Sequence, residues 1–137
     1  MLILVAIDDS PHARRAVQQA CLFARAMQAE LVLLYVTEDT NLVWYEALLP
    51  AESGLPEESR RLLKQALSWV SQEGLQARGM HRVGAPAVQI LTAAAELKAD
   101  LIVIASHGRS ATQRFLLGSV TSQVMSHAQT SVLVIRP

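Results

Sequence analysis

Three stretches of the chain run apolar without a break: Leu2 to Ile7, Leu31 to Val36 and Leu101 to Ala105. A fourth, Ser131-Val132-Leu133-Val134-Ile135, reads the same way. None alternates apolar with polar positions, so each is predicted to be a strand covered on both faces, as parallel strands are. Between them apolar residues recur at three- and four-residue spacing, the helical period. From Pro11 to Gln28 the repeat is carried by Ala13, Val17, Ala20, Cys21 and Ala24. Ser10 and Pro11 are predicted to supply its N-cap and first-turn proline. From Pro56 to Glu73 it is carried by Leu62, Leu63, Ala66, Leu67, Trp69 and Val70, and two further helices are predicted over Pro86 to Leu97 and Ser119 to His127. A weaker strand, Gln76 to Val83, precedes Gly84-Ala85-Pro86.

The predicted order is β-α-β-α-β-α-β-α-β. Right-handed crossovers turn that order into one open, five-stranded parallel sheet with helices on both faces, an α/β fold over residues 1–137. One connection stands out. Thr37 to Leu55 is far longer than the roughly two to six residues usual between such elements. It contains Trp44, Tyr45, Leu48 and Leu49 and reads as a flap or a dimer contact rather than a passive linker.

Composition narrows the function classes. Hydrophobic residues make up 51% of the 137 and charged residues 18%, which suits one packed domain and excludes a disordered chain. Aromatic residues are only 4%, so the core is built from Ala, Val, Leu and Ile. Twelve basic residues balance twelve acidic ones, without the basic excess that nucleic-acid binding normally needs. The lone Cys21 can form neither an internal disulfide nor a Cys-based zinc site, and it reads as a small core residue. The apolar start is stopped by Asp8-Asp9, well short of the roughly 20 residues that span a bilayer. A soluble, cytoplasmic protein is the expectation.

In an open α/β sheet, ligands sit beyond the carboxyl ends of the strands, where strand order reverses. That rule selects Ile7-Asp8-Asp9-Ser10, Val36-Thr37-Glu38 and the segment from Ala105 onward. In the last, Gly108 lets backbone approach a ligand closely, and Gly118-Ser119 opens a helix whose unpaired N–H groups favour an anion. Ser119 adds a hydroxyl and Arg109 a cation, so the segment reads either as a phosphate cradle or as an ordinary cap beside a solvated arginine. Asp8 can serve a ligand or merely end a strand, and Ser10 can cap, bind, or do both. His107 has no carboxylate or serine partner at readable spacing and is read as structural. His12, His81 and His127 are scattered and form no metal-ligand set.

Here the sequence resembles a known family. Val5-Ala6-Ile7-Asp8-Asp9-Ser10, Gly84-Ala85-Pro86-Ala87 and the closing Ser131 to Ile135 are similar to segments of small single-domain universal stress proteins. Ala105-Ser106-His107-Gly108, nine residues, then Gly118-Ser119 resembles the Gly-x2-Gly-x9-Gly-Ser/Thr signature of their ATP-binding branch, with Ala105 in place of the first glycine. The resemblance implies a Rossmann-like, adenine nucleotide alpha hydrolase-like sheet in strand order 3-2-1-4-5. It implies that Ala6 and Ile7 line the base and that Val36 presents backbone to the adenine edge. Asp8 would take the ribose or help hold a metal. Ala105, Gly108, Arg109, Gly118, Ser119, Val120 and Thr121 would surround the phosphates, with Ser10 close by. Mg2+ or Mn2+ would bridge phosphate oxygens.

The resemblance also implies a homodimer through Ser131 to Ile135, an unidentified protein partner, and a role as a nucleotide-dependent regulator or sensor in stress response. No Walker-type lysine follows the glycines and no general base is recognisable, so little or no ATP turnover is expected. The alternative within the family is a pure interaction protein that binds no nucleotide; Ala105 is the residue that favours it. A methyl there would crowd a ligand or, at positive φ, strain the backbone.

Overall fold

The computed structural model describes residues 1–38, 55–107 and 117–137. Its strands are β1 (Leu2–Ile7), β2 (Glu30–Thr37), β3 (Ala77–Val83), β4 (Leu101–Ala105) and β5 (Ser131–Ile135). Its helices, among the described residues, are α1 (Ala13–Met27), α2 (Glu57–Gln72), α3 (Pro86–Leu97) and α4 (Ser119–His127). All four strand pairings are parallel and the sheet order is β3-β2-β1-β4-β5, as expected. The long connection expected over Thr37 to Leu55 lies mostly outside the described residues, Trp44, Tyr45, Leu48 and Leu49 included.

The continuous apolar runs are explained by the two layers of helix. Strand residues alternate between faces. Ile3, Val5 and Ile7 therefore pack with Val17 and Ala20 of α1 and Leu63 and Val70 of α2, while Leu4 packs with Ile90 and Ala94 of α3 and Val124 of α4. Small residues dominate the helix surfaces that meet the sheet: Ala13, Ala16, Ala20 and Ala24 on α1, and Ala87, Ala93 and Ala94 on α3. Short side chains let helix backbone lie close to the sheet, so the core needs few aromatics.

One boundary differs from expectation. Helix α1 begins at Ala13 with His12 as its N-cap, two residues later than the Ser10-Pro11 start predicted. The Ser10 carbonyl accepts the Ala13 N–H at 3.3 Å and its hydroxyl accepts the His12 N–H at 3.3 Å. Ser10 thus holds a turn ahead of the helix rather than capping the helix itself. At the β3–α3 junction Gly84 has φ of +144°, a conformation that side chains resist, and its N–H donates to the Thr37 carbonyl at 2.9 Å. Arg82 of β3 pairs with Glu96 of α3, and that hydrogen bond holds the exposed Glu96 carboxyl below its usual range.

Cys21 is fully buried in the α1 layer, and burial pushes its thiol up from the ordinary cysteine value. Thiolate is the reactive form, so Cys21 is expected to resist a thiol reagent at neutral pH in the native protein and to react on unfolding. Fast stoichiometric labelling of the folded protein would contradict this. The raised thiol also means that its contribution to stability is present below the unfolded-state value and is lost as pH rises through the folded one.

Candidate functional site

The sheet order reverses between β1 and β4. The chain leaves β1 toward α1 on one face and reaches α4 from β4 on the other, so the two exits diverge and leave a crevice at the carboxyl edge. Three of the segments selected from sequence meet here: Asp8 to Ser10 after β1, the end of β2, and Ala105 to His107 after β4.

Asp8 is half-buried, and its Oδ1 accepts the Ser10 N–H at 3.0 Å, an Asx turn that fixes the carboxylate at the strand end. The geometry leaves its second oxygen for a hydroxyl or a cation. Ser10 is 6% exposed, with its hydroxyl engaged by the His12 N–H.

The exit from β4 is tightly bonded. Ser106 is fully buried; its N–H donates to the Ile135 carbonyl at 2.8 Å and its own carbonyl accepts the Gly118 N–H at 2.8 Å. Its hydroxyl lies 3.0 Å from His107 Nδ1. The Thr121 hydroxyl donates to the Ala105 carbonyl at 2.7 Å. Helix α4 therefore starts directly against the end of β4, with Gly118 at its N-cap in an extended conformation, φ −60° and ψ 156°. The N–H groups of Ser119, Val120 and Thr121 occupy its first turn, where an α-helix provides no internal acceptors and the dipole is positive. Ser119 is exposed and Val120 half-buried. This turn can hold an anion by backbone donors and one hydroxyl.

Several expected residues take more specific positions than their spacing suggested. Gly118 spends its N–H on Ser106, so what it offers a ligand is close approach rather than a donor. Thr121 is 3% exposed and its hydroxyl is turned back to β4, which leaves its N–H for a phosphate. Ala6 and Val36 lie on the α3/α4 face, with Val120 packed there too, whereas Ile7 and Ala105 pack on the α1/α2 face. Ala6 and Ile7 therefore cannot turn both side chains to one base; Ile7 is core and presents only backbone.

Ala105 is the last residue of β4 and pairs with Ile135 of β5. Among the described residues only Gln28 and Lys98 combine a side chain with positive φ, so the methyl at Ala105 costs no backbone strain. Gly108 and Arg109 lie outside the described residues. Among the described residues no group of three or more His, Cys, Asp or Glu could hold a metal ion. A cation here would accordingly need ligand oxygens besides Asp8.

Ser106 is the residue that pattern reading passed over. Its neighbours Ala105 and Gly108 drew the motif, and the only signal in the sequence was its place between a strand end and a glycine. His81, set aside as scattered, has Nε2 2.6 Å from the Thr37 hydroxyl and helps join the ends of β2 and β3.

Comparison with known proteins places these features in a family. The model of the Universal stress protein family matches residues 1–136. The chain is 31% identical to universal stress protein YxiE of Bacillus subtilis (strain 168) over 98% of this chain and 97% of that one. Among solved structures it is similar to universal stress protein UspA from Lactobacillus plantarum, with TM-score 0.82, 29% identity, and coverage of 99% of this chain and 97% of the other. It is also similar to a universal stress protein solved in complex with cAMP, with TM-score 0.76, 27% identity, and coverage of 98% and 95%. A third, the Archaeoglobus fulgidus protein in complex with dAMP, has TM-score 0.68, 27% identity, and coverage of 98% and 97%. The chain belongs to the universal stress protein family.

Proposed function

We propose that this chain binds ATP, with Mg2+ or Mn2+ on the phosphate oxygens, at the carboxyl edge of its sheet. The observation that carries the reading is the start of α4 at Gly118–Ser119, bonded directly to the exit of β4, at the same carboxyl edge of the sheet as Asp8 after the neighbouring β1. Relatives solved with cAMP and dAMP support an adenine nucleotide as the ligand. In this reading Ala6 and Val36 side chains and Ile7 backbone line the base, and Asp8 takes the ribose or a metal, with Ser10 holding its turn. The first turn of α4 takes the phosphates together with Gly108 and Arg109. Ala105 is the residue that favours the rival reading of a nucleotide-free interaction protein; its strand φ, and its methyl packed on the α1/α2 face, support the nucleotide reading by removing backbone strain as an objection.

The whole chain acts as one domain that pairs through β5 into a homodimer and signals to a protein partner in the cytoplasm. Val132, Leu133 and Val134 of β5 are half-buried on an edge strand. An unpaired edge invites association, and a symmetry mate satisfies it. No described helix is long and apolar enough to cross a membrane.

The protein is a binder rather than a fast enzyme. Steady-state hydrolysis is expected below about 1 s⁻¹, the low end for enzymes, and faster turnover would contradict the proposal. Purified protein, denatured and resolved by anion exchange at 260 nm, is expected to release adenine nucleotide. A preparation that releases none and also fails to retain ATP in equilibrium dialysis would overturn the reading.

A further inference from the structure

We infer that the Ala105–Ser106 peptide group couples the anion-binding turn of α4 to the edge strand β5, so that nucleotide binding and self-association strengthen one another. The inference rests on the reading above, in which that turn takes a nucleotide and β5 pairs with a second copy of this chain. The two ends of one peptide group carry it. Its carbonyl, that of Ala105, accepts the Thr121 hydroxyl of α4 at 2.7 Å. Its N–H, that of Ser106, donates to the carbonyl of Ile135, the last residue of β5, at 2.8 Å. The next carbonyl, that of Ser106, accepts the Gly118 N–H at 2.8 Å. The start of α4 and the end of β5 thus share the exit of β4 as a common anchor, beside the Arg15 Nε that donates to the Arg136 carbonyl at 2.9 Å and the core packing of Ile135 and Val124.

A peptide group is planar and turns as a unit, so a rotation that loosens one of its two bonds loosens the other. Ser106 is fully buried and Thr121 3% exposed, so this donor–peptide–acceptor chain lies out of water, where successive hydrogen bonds polarise one another. An anion on the first turn of α4 orders Thr121 and Gly118, and through them the peptide plane. Pairing of β5 orders the same plane from the other side. Whichever event comes second finds the plane already ordered, which gives positive cooperativity without a large change of shape. Ala105 suits this task better than glycine, because its methyl restricts the rotation.

The test is the dimer dissociation constant, measured by sedimentation equilibrium on the full chain with and without saturating ATP and Mg2+. Saturating nucleotide is expected to tighten the dimer at least about fivefold, and by linkage dimerisation tightens ATP binding by that factor over the two sites of the dimer together, about twofold at each. Thr121→Val keeps the shape and the N–H and removes the hydroxyl; it is expected to bring that ratio close to one, while Thr121→Ser retains it. A role for Thr121 in stability alone would shift the melting temperature and leave the ratio unchanged. Wild-type protein that binds ATP and dimerises with the same constant in both conditions overturns the coupling and leaves the nucleotide reading intact. A chain that binds no ATP overturns that reading and the coupling with it, and one that stays monomeric throughout overturns the coupling. An undiminished ratio in Thr121→Val overturns the route through the peptide.

Discussion

Gly118→Val is expected to lose at least about a hundredfold in ATP affinity while keeping the wild-type fold. A hundredfold is about 2.7 kcal/mol, the scale of one or two hydrogen bonds to a charged group. Backbone strain is not the cause, since φ −60° and ψ 156° lie in the extended region that β-branched residues favour. The N–H that donates to Ser106 also survives the substitution. What changes is the surface in front of α4: two methyl groups stand where a phosphate would approach the N–H groups of Ser119 and Val120. Calorimetric titration and a melting curve on the same preparation separate the two effects. Retained affinity would place the phosphate cradle elsewhere, and a collapsed melting temperature would make the glycine structural.

Leu4→Ala is expected to destabilise the fold by about 2–5 kcal/mol, the range for deleting a fully buried leucine side chain. Leu4 has no exposed surface and lies on the strand flanked by both β2 and β4, opposite Val32 and Ile102. It packs under Ile90, Ala93 and Ala94 of α3 and Val124 of α4. The alanines that bring α3 close to the sheet have no reach to refill the space, so the cavity persists. At roughly 3 °C per kcal/mol for a domain of this size, the melting temperature falls by about 6–15 °C. Leu22→Ala, on the exposed face of α1, serves as the contrast and is expected to cost little. A loss below about 1 kcal/mol at Leu4 would mean that the α3 layer collapses onto the sheet.

The strands were legible because their apolar runs are long, unbroken and abruptly ended. Leu2–Ile7 stops at Asp8-Asp9, and β1, β4, β5, α3 and α4 have the bounds their patterns predict. The start of α1 was not legible, because Ser10-Pro11 is equally good chemistry for a cap and for a turn before one. Only the acceptor of the Ala13 N–H distinguishes them. The site was legible as an edge of the sheet and not as a surface. A run that is apolar on both faces carries no mark of which face a residue takes, so Ala6 and Ile7 read alike although one packs under α3 and α4 and the other under α1 and α2. The destinations of the Thr121 hydroxyl and the Gly118 N–H depend on how α4 meets β4, and no local pattern encodes that.

The central claim, that this small chain of zero net charge is a nucleotide binder, is tested most directly by isothermal titration of the wild-type protein, stripped of bound ligand, with ATP in the presence of Mg2+. A local cradle of backbone donors needs no net positive charge, so the balance of twelve basic and twelve acidic residues is no obstacle. The predicted result is saturable binding of one ATP per chain, lost in Gly118→Val. No heat at any temperature tried, together with no displacement of a fluorescent adenine nucleotide, would contradict it.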